Sequence, residues 1–289
     1  MTTLLIGANG QLGCELRQAF AGSDIIPLTH GDFELADRAQ VRDALCKYRP
    51  DLILNTAAYH RVDECEDYAE RAFTVNALAV RDLAVAAKEI GAVLVHFSTD
   101  YVFDGGSRVP YREIDPPGPL SVYATSKLAG EYLVRATLPQ HFVIRTCGLY
   151  GLTGSQSKGG NFVETMLRLA REGREIRVVG DQIVTPTNVK DLADKVRQLV
   201  AIGTYGLYHI TNSGECSWYQ FASAIFEIAG LHPRLLETTG AAFGAPARRP
   251  PYSVLDNANL RSLGLDDLRH WRDALADYIK ERARLLGEA

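Results

Sequence analysis

Over the first 150 residues, short apolar runs alternate with stretches whose apolar positions recur every three or four residues. The runs TLLIGA (3–8), DIIPLT (24–29), DLILNTA (51–57), AVLVHFS (92–98) and HFVIRT (141–146) are aliphatic or β-branched at most positions. That pattern suits strands covered on both faces, as in a parallel sheet, better than strands with one wet face. Residues 11–20, 38–47 and 70–90 and the run SVYATSKLAGE (121–131) carry helical periodicity between them. Repeated β-α alternation predicts an α/β fold built on a doubly wound parallel sheet. Beyond residue 151 the regularity loosens into a Gly/Ser-rich loop GLTGSQSKGGN, a helix near 161–172, the strand IRVVGD and the segment DQIVTPT. A helix over 189–202 and a strand GLYHIT return to the first sheet, and a charged helix over about 266–286 closes the chain. The predicted division is a first domain of 1–150 plus about 189–214, and a smaller C-terminal α/β domain of about 151–188 plus 215–289.

Composition narrows the partners. With 46% hydrophobic and 23% charged residues and a net charge of −4, the chain has no polybasic footprint for nucleic acid or an anionic membrane. Its five cysteines, Cys14, Cys46, Cys65, Cys147 and Cys216, show neither C-x-x-C nor metal-ligand spacing, and its histidines show no metal spacing either. Reduced thiols in a cytoplasm are expected. No apolar run approaches the ~20 residues of a membrane helix, and MTTLLIGANG lacks the basic start of a signal peptide.

The chemistry begins at the first strand-to-helix turn. GANGQLG places Gly7, Gly10 and Gly13 in a G-x-x-G-x-x-G array, with Asn9, Gln11 and Leu12 between them. Glycine lets the backbone turn tightly and approach a pyrophosphate, whose charge then rests on free N–H groups at a helix N-terminus. In a βαβ context this is a Rossmann-like signature, and it implies a nicotinamide or nucleotide cofactor. At the end of the second strand Thr29 and His30 stand where an NAD-selective carboxylate would, with Asp32 and Phe33 just after, placed beside the adenine. Without a carboxylate or an arginine at that spot, both NADPH and NADH are expected to work.

Tyr123 and Lys127 lie one helical turn apart and share a helix face. A free phenol is too weak an acid to act near neutrality, and a nearby ammonium would lower its pKa. Ser98 and Thr99 end the fourth strand, on the edge of a parallel sheet where ligands bind.

Together, the glycine turn, the hydroxyl after the fourth strand and Tyr-x-x-x-Lys resemble the extended, nucleotide-sugar-modifying branch of the short-chain dehydrogenase/reductases. The segments GANGQLG, DLILNTAAYHRVDECE, FSTDYVFDG, YATSKLAGE, GNFVETMLRLAREG, VGDQIVTPT and ARRPPYSVLD look like the dTDP-4-dehydrorhamnose reductases within it. The resemblance implies an NADPH- or NADH-dependent reduction of a 4-keto-6-deoxy sugar nucleotide, with Thr99, Tyr123 and Lys127 catalytic. Tyr123 would be the general acid, and Lys127 would also hold the nicotinamide ribose. Besides the glycine turn, it places Asp32, Phe33, Ala57, Ala58, Tyr59 and Ser98 along the cofactor. It places Thr99, Asp100, Tyr101, Asn161, Gln182 and Thr187 along the sugar, with Arg248 and Arg249 on the pyrophosphate. It also admits a homodimer and a Mg2+ ion. One position departs from the pattern: Gly148, in RTCGLYG, stands where other members carry a bulky aromatic on the sugar, a gap for Tyr101 or Tyr150 to fill. Two other functions compete. An epimerase or dehydratase of the same branch is disfavoured because Tyr101 replaces the glutamate of the dehydratase Thr-Asp-Glu run. A non-catalytic subunit of methionine adenosyltransferase is disfavoured by the intact Thr99, Tyr123 and Lys127.

Overall fold

The structure, a computed structural model, describes residues 1–152 and 160–287; the predicted Gly/Ser-rich loop therefore lies largely outside the described residues. Its first half runs β1 (Thr2–Ile6), α1 (Gln11–Ala19), β2 (Asp24–Leu28), α2 (Arg38–Tyr48), β3 (Leu52–Asn55), α3 (Glu64–Asp67), α4 (Ala69–Phe73), α5 (Ala79–Ile90), β4 (Val93–Thr99), α6 (Val122–Thr137) and β5 (His141–Thr146). The second half continues with β6 (Leu149–Tyr150), α7 (Phe162–Arg171), β7 (Ile176–Val179), β8 (Ile183–Val184), β9 (Thr187–Asn188), α8 (Val189–Ile202) and β10 (Gly206–His209). It ends with β11 (Cys216–Ser217), α9 (Trp218–Ile228), β12 (Leu235–Thr238), α10 (Gly240–Phe243), α11 (Ala258–Ser262) and α12 (Trp271–Leu286).

Six strands form one parallel sheet in the order β10-β5-β4-β3-β1-β2. The order reverses at β1, since β2 lies on one side of it and β3 on the other, which opens a crevice beyond the carboxyl ends of the strands. Alternation along each strand splits the core. Leu4, Ile6, Ile53, Leu94 and Val143 pack on α2, α5 and the end of α6, while Leu5, Leu54, Val95, Phe97 and Ile144 pack on α1 and α8. The fold is thus the expected doubly wound sheet. A separate cluster around Tyr150, Val163, Met166, Phe221, Trp271 and Leu275 joins α7, α9 and α12.

Where sequence and structure differ, the reason is local. The runs read as strands over 3–8 and 51–57 leave the ladder at Ile6 and Asn55, because the residues beyond turn out to line the crevice. The helix expected over 70–90 is interrupted by a π-helical stretch, Thr74–Leu78. There Asn76 is pulled toward the site: its side chain bonds the Tyr59 backbone N–H and carbonyl and the Ser126 hydroxyl. Such insertions recur beside functional sites. The charged helix starts at Trp271, with His270 as its N-cap. The residues before it are committed elsewhere: Asp267 pairs with Lys195 and Arg269 with Asp191. Among the described residues no helix is long and apolar enough to cross a membrane.

Candidate active site

A cleft of about 1410 Å3 runs from the glycine turn past the ends of β3, β4 and β5 to the start of α9. At its first end, Gly7 takes a left-handed φ of 80°, and a Cβ there would fall 2.4 Å from Thr56 Oγ1. Gly13 is needed for another reason: a Cβ would lie 2.2 Å from the Gly7 carbonyl oxygen, so only glycine lets α1 sit this close to β1. No side chain caps the first turn of α1, whose residues Gln11 and Leu12 line the cleft with Gly7, Asn9 and Gly10. That cradle fits the pyrophosphate of a dinucleotide. Ala57, Ala58, Tyr59, Ser98 and Phe33 also line the cleft, as do Thr29, His30 and Glu34. Asp32 does not. Its carboxylate accepts from the backbone N–H and hydroxyl of Thr29, bonds that hold it below the usual carboxylate range, and Glu34 instead stands 3.5 Å from His30.

β4 and α6 supply the centre. Ser121 caps α6 through the Ala124 N–H, so the helix begins just before Tyr123 and points it at the strand ends. Thr99 ends β4 in register with Thr146, donates its hydroxyl to Asp100 at 3.0 Å, accepts from the Tyr101 N–H at 3.2 Å, and lines the same cleft as the Tyr123 phenol. The rings of Tyr101 and Tyr123 meet edge to face, with centroids 6.3 Å apart. Burial, and then the charge of Asp100, push the Tyr123 phenol upward; the expected lowering by Lys127 is not what the structure gives. The Lys127 amine instead donates to the Phe97 carbonyl at 2.6 Å, and burial brings it down to about 8. Asp100 is raised by burial although three donors face it: Ser253 at 2.5 Å, Thr99 at 3.0 Å and Cys147 at 3.1 Å.

Of the remaining predicted sugar-side residues, only Asn161 lines the cleft; it caps α7 and bridges Gln11 and the Gly151 carbonyl. Gln182 and Thr187 do not. Thr187 is fully buried on β9 and donates to the Thr185 carbonyl. Arg248 is exposed outside the cleft. Arg249 grips Asp63 with two nitrogens, at 3.1 and 2.9 Å, donates to the Ala247 carbonyl, and stands near enough to the Tyr101 phenol for its charge to act on it.

The space nearest Gly148 is filled by Pro186 and Trp218 and not by Tyr150, while Tyr101 lines the same cleft. Tyr150 is buried against Phe221 and Tyr278. Gly148 has φ of 53°, and its missing Cβ would meet Pro186 Cα at 3.2 Å and the Trp218 ring at 3.4 Å. Trp218 and Phe162, 4.8 Å apart, line the cleft there. Sequence reasoning missed Trp218, Asn76 and the Asp63–Arg249 pair. Of these, only the Ser217-x-x-Gln220 capping box that starts α9 left a local signal in the sequence. Among the described residues no group of three or more His, Cys, Asp or Glu side chains could hold a metal ion, and no step proposed for this site involves one.

Fold and site together define a dinucleotide-binding protein of the short-chain dehydrogenase/reductase kind, with its Tyr and Lys one turn apart under a glycine-rich turn. Residues 1–284 match the family described as RmlD substrate binding domain, and the chain belongs to that family. It is 44% identical over 286 residues to the spore coat polysaccharide biosynthesis protein SpsK of Bacillus subtilis, covering 98% of this chain and 99% of that one. It is 42% identical over 283 residues to the dTDP-4-dehydrorhamnose reductase of Streptomyces griseus, covering 95% and 91%. The crystal structure of the Bacillus anthracis dTDP-4-dehydrorhamnose reductase in complex with NADP superposes with a TM-score of 0.92 at 38% identity, covering 97% and 99%.

Proposed function

We propose that this chain is an NAD(P)H-dependent reductase of the 4-keto group of dTDP-4-dehydro-L-rhamnose, giving dTDP-L-rhamnose. The observation that carries the reading is the joining of Thr99, Tyr123 and Lys127 to the glycine turn in one cleft; the relatives' names supply the substrate class. The six-stranded part, 1–150 with about 189–214, would hold the dinucleotide. Residues of about 151–188 and 215–289 would hold the sugar nucleotide, a division supported by the separate core of α7, α9 and α12. When bound, the reduced nicotinamide supplies the hydride. Tyr123 keeps its proton because burial raises the phenol, and gives it up only to the strongly basic oxygen that reduction creates. Thr99, beside Tyr123 in the cleft, would turn its one hydroxyl proton from Asp100 to the same oxygen. Trp218 and Phe162 present an apolar wall to the deoxyhexose.

The test is stoichiometric. Incubation with dTDP-4-keto-L-rhamnose and NADPH should oxidise one cofactor per product formed. Turnover without net oxidation would favour an epimerase or dehydratase, and no turnover a non-catalytic subunit. The proposal extends to a cytoplasmic homodimer, which sedimentation velocity would check.

Two further outcomes are expected. Arg249→Ala should raise KM for the sugar nucleotide about tenfold, the scale of losing a charge-assisted bond, while KM for NADPH moves little. Arg249 ties the loop bearing it to Asp63 and places its charge near Tyr101, which packs on Tyr123; equal rises for both ligands would mean that the loop is only structural. Cofactor choice should be shallow, with kcat/KM for NADPH above that for NADH by no more than about tenfold, since the second-strand end offers neither an arginine nor an unengaged carboxylate. A hundredfold preference for NADH, ~2.7 kcal/mol, would place Glu34 or Asp32 on the ribose.

A further inference from the structure

Asn55 and His96 face each other in the β3–β4 register, on the sheet face covered by α6, and both are buried with Lys127. Their hydrogen bonds form a directed chain. Asn55 Oδ1 accepts the backbone N–H of Ala57, a cleft residue, at 3.2 Å. Its Nδ2 therefore donates to His96 Nδ1, at 3.3 Å. With Nδ1 accepting, a neutral His96 carries its proton on Nε2, and Nε2 stands 3.5 Å from Lys127 Nζ.

We propose that Asn55 and His96 set the protonation state of Lys127 by turning an N–H, not a lone pair, toward its amine. An ammonium has no lone pair with which to accept that N–H, whereas a neutral amine accepts it and still donates to the Phe97 carbonyl. The titratable groups acting on Lys127 are His96 from β4 and, on its own helix, Glu131, with Tyr123 one helical turn away. Glu131 favours the ammonium, but Arg145 of β5 and Ser98 hold its carboxylate. The shifts agree in direction: burial lowers Lys127 to about 8 and holds His96 well below the usual histidine range. Asn55 and His96 are thus positioning residues that let Lys127 gain and lose a proton near neutrality, one helical turn from Tyr123. An ordinary lysine, at ~10.4, would stay charged there. The proposal rests on Lys127 belonging to the reductase site, but its test reads nitrogen protonation rather than turnover, so the two can fail separately.

The test is NMR on the full chain. In 15N-histidine-labelled protein, His96, assigned by ring-to-backbone correlations, should show a protonated Nε2 and a bare Nδ1 from pH 6 to 8. An Nδ1–H tautomer or an imidazolium would overturn the proposal. In 13C-lysine-labelled protein, Lys127, assigned by its loss in Lys127→Met, should titrate below the surface lysines. In His96→Gln, whose amide can turn its oxygen to the ammonium, that midpoint should rise by about one pH unit or more. An unchanged midpoint in folded His96→Gln would refute the proposal, and the wild-type tautomer decides it if that variant does not fold.

Discussion

Tyr123→Phe is expected to lower turnover by about two to four orders of magnitude, the usual contribution of a general acid. The substitution leaves the ring, and so the edge-to-face contact with Tyr101, and removes only the hydroxyl. Folding should survive, with a melting temperature near that of the wild type. KM for the sugar nucleotide should change far less than kcat, because the proton is transferred in the transition state and not in the bound ground state. Steady-state kinetics at saturating NADPH provide the check. A variant retaining more than about a tenth of wild-type turnover would remove Tyr123 from the mechanism.

Lys127→Met should do two things that Tyr123→Phe does not. Lys127 lines the cleft one helical turn from Tyr123 on α6. If it holds the nicotinamide ribose, its loss weakens NADPH binding by about tenfold to a hundredfold, the range for hydrogen bonds to a charged group, besides cutting the rate. It also removes the bond to the Phe97 carbonyl, so a loss of about 1–3 kcal/mol of stability is expected. Calorimetry separates these effects: a folded variant that binds NADPH as tightly as wild type would show that the ribose is held elsewhere.

The parts of the site that lie close together in sequence were legible. Gly7, Gly10 and Gly13 span a single turn, and Tyr123 and Lys127 a single helical turn, so local spacing determined their geometry before any packing. The same holds for the sheet, because near-continuous apolar runs separated by helical periods leave few alternatives to parallel, doubly covered strands. Asn161 was legible as well, and it reaches the cleft as a helix cap. What could not be read depends on contacts between segments far apart. Arg249 looked like a phosphate clamp, but Asp63, 186 residues away, reaches it first. The gap at Gly148 is closed by Trp218, 70 positions on, because the chain returns through Pro186 and α9 to that side of the cleft. The direction of the Tyr123 and Lys127 shifts also needed the fold: a sequence places the phenol and the amine near each other, but burial of both decides which charge state each prefers. The glycine cradle and the Tyr-Lys pair could be read from the chain because their geometry is set within one or two turns, and the sheet because its apolar runs and helical periods repeat. Only the tertiary structure decided which charges are neutralised, which rings reach the cleft and how His96 is turned, because desolvation and pairing depend on every segment that packs around a group.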